Sequence, residues 1–200
     1  ILRCLVGSEM CIRDRSDLKG LPPHILKPQT HWERAKGYSE LCMYDFALRE
    51  LRAIPEDEIW TKKVTILTLS IYQELENWAE AQKYARNLRY EFSEEVDWWI
   101  ADAYATRRCE SITAARSILL EGLVLHYEDA LIRYNLACYA CVLKSPGECM
   151  DFLKEAVRRD EKFKLMAIED EDLIEVRDAL INLGLSLIHI SEPTIHRRIS

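Results

Sequence analysis

Cys138-Tyr-Ala-Cys141 is the arrangement in this sequence best suited to chemistry. Two thiolates at this spacing can bind zinc or cycle a disulfide, because they are soft ligands that act together. Zinc needs four ligands, and residues 16–184 hold no second C-x-x-C and no C-x-x-H. Cys149 on the next predicted helix could approach, so Cys138, Cys141 and Cys149 are the set a metal- or redox-responsive protein would use. Against this, Cys149 falls at a small packing position and Cys109 replaces a leucine in a repeating series. The expectation is therefore packing cysteines in a reducing cytoplasm, with no metal. His31 and His126 lack the orienting partner that acid–base catalysis requires, and read as surface or helix-end histidines. There is no G-x-S-x-G and no glycine-rich phosphate loop, so neither an enzyme nor a cofactor is expected.

Composition points the same way. The 200 residues carry 27 Lys and Arg against 34 Asp and Glu, a net charge of −7, which disfavours a phosphate-reading nucleic-acid binder. Six glycines and six prolines are too few for a chain full of tight turns, so a sandwich or barrel is not expected. Seven scattered cysteines do not make a secreted disulfide framework.

The two ends read differently from the rest. Residues 5–15, LVGSEMCIRDR, back-translate to a DNA cassette whose reverse complement encodes LSLIHISEPT, the sequence of residues 185–194. One cassette read in both directions explains both segments, and it resembles the transposase adaptor of sequencing libraries; a genuine inverted repeat in the gene is the alternative. Residues 1–15 and 185–200 are accordingly expected to lie outside the native fold. Setting them aside removes five basic and three acidic residues, leaving 22 against 31 and a net charge of −9. The apolar stretch of residues 185–190 is far too short to span a bilayer, and no membrane association is expected.

Between residues 30 and 157 a period of 34 organises the chain. A small residue recurs at Ala47, Ala81, Ala115 and Cys149. Four residues later come Leu51, Ala85, Leu119 and Leu153, and seven later Ile54, Leu88, Gly122 and Ala156. That is the stripe of an amphipathic helix written four times in register. Twelve residues upstream, Ala35, Leu69, Ala103 and Ala137 begin a second stripe, continued by Tyr38, Tyr72, Thr106 and Ala140, then by Leu41, Leu75, Cys109 and Leu143. Short polar segments separate the stripes. In Ser145-Pro-Gly-Glu148 the serine is placed to cap, the proline to open the helix and the glutamate to reach back. Each unit is predicted to be helix, turn, helix. No hairpin can bury its own apolar face, so each must stack on the next.

The period, Tyr134-Asn-Leu-Ala137, Trp99 before Ala103, and the Tyr44/Ala47 and Trp78/Ala81 pairs resemble tetratricopeptide repeats. The resemblance implies an all-α, right-handed superhelical solenoid of about four antiparallel hairpins over residues 31–157. A Pro-containing lead-in of residues 16–30 precedes them, and a capping helix within residues 158–184 follows. It also implies a non-catalytic scaffold or adaptor that binds a peptide or partner protein in a concave groove. Carried onto this sequence, the groove positions include Trp32 and Lys36 in the first unit and Lys63, Ile66 and Gln73 in the second. Tyr104, Arg107 and Arg108 follow in the third, and Tyr134 in the fourth. Their aromatic and arginine content suits an interface, and their positive charge suits an acidic peptide or a free carboxylate. Ser70 and Cys138 fall where a chaperone-type carboxylate clamp would want an amide or a cation, so no chaperone-tail adaptor is expected. In the tail, Leu165, Ile168, Leu173, Val176 and Leu180 mark one amphipathic capping element. The acidic run of residues 169–172 lacks alternating EF-hand spacing and reads as a solvated face.

Overall fold

The computed structural model describes residues 26–180, which contain helices and turns but no strand. Both adaptor-like segments lie outside the described residues. The chain divides into two units, one ending at Glu56 and one beginning at Asp57.

The first unit contains the hairpin of α1 (Pro28–Glu40) and α2 (Tyr44–Arg52). Proline at the first turn of α1 loses no hydrogen bond, because the N–H there has no intrahelical acceptor. Ala35 and Ala47 are fully buried between the helices, which lets the two backbones approach closely.

The second unit repeats that hairpin three times. Its helices are α3 (Thr61–Glu74), α4 (Trp78–Glu91), α5 (Val96–Cys109), α6 (Ile112–Leu125), α7 (Ala130–Val142) and α8 (Pro146–Arg159). From α4 onward each packs on the helix before it. Ala81, Ala115 and Cys149 are fully buried, as are Ala85, Leu119 and Leu153 four residues on. Small side chains at the closest crossings and branched ones beside them are the packing the 34-residue period predicts. Side-chain caps set several starts: Asn77 accepts from the Glu80 N–H at 3.3 Å, Ser111 from Ala114 at 3.1 Å and Asp129 from Ile132 at 2.7 Å.

The period also governs how the first helices of the hairpins end. Cys42, Glu76 and Lys144, each at a multiple of 34 from the others, adopt positive φ of 56°, 52° and 61°. The following N–H groups of Met43, Asn77 and Ser145 reach back to the carbonyls of Tyr38, Tyr72 and Ala140 at 2.8–2.9 Å. These are Schellman closures with a non-glycine residue in the left-handed position. They correct two readings. The series Leu41, Leu75, Cys109 and Leu143 is exposed, because it lies at the helix ends rather than in the core. Ser145 stands at the start of α8 but makes no side-chain capping bond, and Glu148 pairs with Arg116 instead of reaching back.

Among the described residues, Gly122 is the one glycine where space decides the residue. A Cβ there would sit 2.9 Å from Cε3 of Trp99, a buried indole held by its N–H to the Ser93 carbonyl at 2.8 Å. Gly122→Ala is expected to lower folding stability by about 1–3 kcal/mol, read as a drop in the urea midpoint, because the ring cannot retreat without losing that bond.

The tail breaks into α9 (Lys162–Glu169), a 3-10 turn (Glu171–Val176) and α10 (Arg177–Leu180). One continuous capping helix was expected; the chain leaves the helix at Asp170, whose backbone is extended at φ −72° and ψ 123°. Asp170 Oδ1 accepts the Asp172 N–H at 2.9 Å, which starts the 3-10 turn. Phe163, Ala167, Leu173 and Val176 are buried against the cluster built from α5 to α8. Leu165 is instead mostly exposed.

Candidate functional site

In the first unit, Lys36 pairs with Glu33 at 2.9 Å and sits 5.9 Å from the Trp32 ring centroid. His31 Nδ1 on α1 lies 2.6 Å from Glu50 Oε2 on α2.

In the second unit, α3 contributes little that stands free. Lys63 is exposed and lies 5.2 Å from the Trp60 ring, Ile66 packs into the core beside Leu69 and Ala81, and Gln73 is half-buried. The weight falls on α5 and α7. Tyr104 and Arg108, one helical turn apart, share a hydrogen bond from Arg108 Nη2 to the Tyr104 hydroxyl at 2.9 Å. Trp78 from the start of α4 completes the cluster, edge-on to Tyr104 at 5.4 Å, with the Arg108 guanidinium 5.3 Å from one ring and 5.1 Å from the other. Tyr104 and Arg108 face solvent, and among the described residues no carboxylate pairs with Arg108. A planar cation over two aromatic faces is preorganised to meet a carboxylate.

Arg107 turns the other way. It grips Asp172 of the 3-10 turn with both terminal nitrogens, one at 2.7 Å, and lies 5.4 Å from the Tyr139 ring. That hydrogen bond holds the guanidinium above its ordinary pKa, against the opposing effect of burial. Tyr134 is buried, stacks on Phe163 at 4.8 Å and donates its hydroxyl to Asp170 Oδ2 at 2.7 Å. The Cys138 thiol lies 3.4 Å from the same oxygen. Burial first, and Asp170 after it, pushes both the phenol and the thiol well up, so both stay protonated. Asp170 and Asp172 thus contact protein where a solvated face was expected, while Glu169 and Glu171 remain exposed.

The three cysteines of the metal alternative do not form one ligand set. Cys138 turns to Asp170 and Asp172, with the three ligand atoms within 4.8 Å of one another, while Cys149 is fully buried beside Cys141. Arg107 already neutralises Asp172, and burial raises the thiols of Cys138 and Cys149, which disfavours the thiolate a metal requires.

Sequence reasoning missed a further group. Asp102 on α5 is fully buried, accepting Arg89 Nε at 2.7 Å and the Thr106 hydroxyl at 3.2 Å. Gln82 donates to Thr106 at 2.8 Å and to Glu110 at 2.7 Å. Burial lifts the Asp102 carboxyl above its ordinary range against the pull of Arg89 and Arg86. The period held the signal, because Thr68, Asp102 and Leu136 share one buried register position.

The architecture is an all-α helical repeat built from antiparallel hairpins. Among the solved structures it is similar to is the crystal structure of MamA protein, with a TM-score of 0.62 and 10% sequence identity, covering 78% of this chain and 87% of that one. At that identity the likeness establishes the fold alone. No protein-family model matches the sequence, and no curated protein matches it. No helix of the described residues is long and apolar enough to cross a membrane.

Proposed function

We propose that the chain is a non-catalytic interaction module that binds an acidic peptide or a partner protein through the face of α5 and its neighbours in the second unit. The observation that supports this most is the cluster of exposed Tyr104 and Arg108 with half-buried Trp78. Aromatic and arginine side chains are the types that dominate interface energetics. An exposed guanidinium already stacked on two rings loses little side-chain entropy on engaging a carboxylate. The net negative charge of the chain disfavours nucleic acid, and an acidic peptide is attracted only locally, at exposed cations such as Arg108. Five free thiols among the described residues, three buried and two exposed, suit a reducing cytoplasm.

The test is capture from a lysate by the native chain and by Tyr104→Ala/Arg108→Ala. Both residues are exposed, so the variant should match native helicity and melting while losing the captured partner. Capture of the same set by both proteins would remove this face from consideration.

A further inference from the structure

Residues 170–172 behave as a bound ligand rather than as a surface run. The extended backbone at Asp170 sends two carboxylates onto one receptor surface while Glu171, between them, faces solvent. The receptor side chains come from two different helices: Arg107 from α5 takes Asp172 with both terminal nitrogens, and Tyr134 with Cys138 from α7 takes Asp170. A two-point guanidinium contact fixes orientation as well as charge, and the hydroxyl fixes the second carboxylate at a set distance along the chain. The receptor is therefore selective for spacing, and a single acidic residue cannot satisfy both ends.

We propose that this surface of α5 and α7 is a binding site for an internal acidic peptide segment with two carboxylates two residues apart. The chain's own Asp170-Glu-Asp172 is its resident occupant, which such a partner displaces. This rests on the interaction-module reading and names the partner's chemistry. The tethered occupant competes at an effective concentration in about the millimolar range, so the native chain binds a free peptide weakly. Loosening the occupant opens the site. Leu173, fully buried one residue beyond the acidic pair, is the handle that does so without touching a polar partner.

The probe is a fluorescein-labelled peptide of residues 167–176, AIEDEDLIEV, titrated by fluorescence anisotropy against the full chain. Two variants release the occupant by independent routes: Asp170→Asn/Asp172→Asn removes its charge, and Leu173→Ala removes its anchor. The peptide is expected to bind each variant at least about tenfold more tightly than the native chain. Adding Arg107→Ala to either variant, or replacing both aspartates of the peptide with asparagine, should abolish that gain. Thermal melts identify which variants remain folded, and either one suffices. The proposal is overturned if a folded release variant binds no better than native, or if the gain survives Arg107→Ala. A native chain that sediments as a dimer, with the tail exchanged between copies, would overturn it too. Capture through Tyr104 and Arg108 uses different side chains, so the interaction-module reading stands or falls separately.

Discussion

Asp102→Ala is expected to lower the stability of the second unit by about 3–5 kcal/mol, the range for removing one partner of a buried ion pair. The carboxylate is fully buried, and its removal leaves Arg89, itself 7% exposed, with its Nε unpaired. Thr106 and Gln82 lose the acceptor at the end of their chain as well. A buried ion pair need not add net stability over an apolar replacement of similar volume. Burial raises the Asp102 carboxyl despite two arginines, so desolvation outweighs the attraction that holds it. The double replacement Asp102→Leu/Arg89→Met is therefore expected to unfold within about 1 kcal/mol of the native chain. Urea unfolding of the three proteins checks both statements. If the single variant loses less than the double, the pair is not a coupled unit.

Phe163→Ala is expected to cost about 3–5 kcal/mol, the range for truncating a buried phenylalanine. The ring is 1% exposed and stacked on Tyr134, and it anchors α9 against the cluster of α5 to α8. Its loss should unseat the segment ahead of Leu173, seen as new proteolytic cleavage within residues 164–176. The control is Leu165→Ala, two positions on and 55% exposed, which should change stability by no more than about 0.5 kcal/mol. Equal effects from the two would mean that α9 does not pack as described.

Much of the fold was legible because a fixed period samples the same environment repeatedly. Ala47, Ala81, Ala115 and Cys149 are all fully buried, and four small residues at one register position constrain the packing more than any single propensity. What escaped was set by geometry across helices. Leu75 reads as apolar and therefore inside, yet the Schellman closure at Glu76 turns the chain and leaves the leucine on the surface. Arg107 and Arg108 are adjacent in sequence, but successive helical positions diverge by about 100°. One therefore meets Asp172 and the other meets Trp78 and Tyr104. The acidic run of residues 169–172 looked solvated because nothing in its own composition shows that Arg107, 65 residues away from Asp172, waits for it.

Where a partner rests on the second unit can be read by site-specific photo-crosslinking in a lysate. A photoreactive amino acid placed at position 104 reports on the Trp78 and Arg108 cluster, and the same group at position 124, where Val124 is 80% exposed on α6, reports on a surface outside that cluster. A protein-interaction module working through α5 gives a crosslinked partner from position 104 and none from position 124. A partner crosslinked from position 124 and absent at 104 would contradict it.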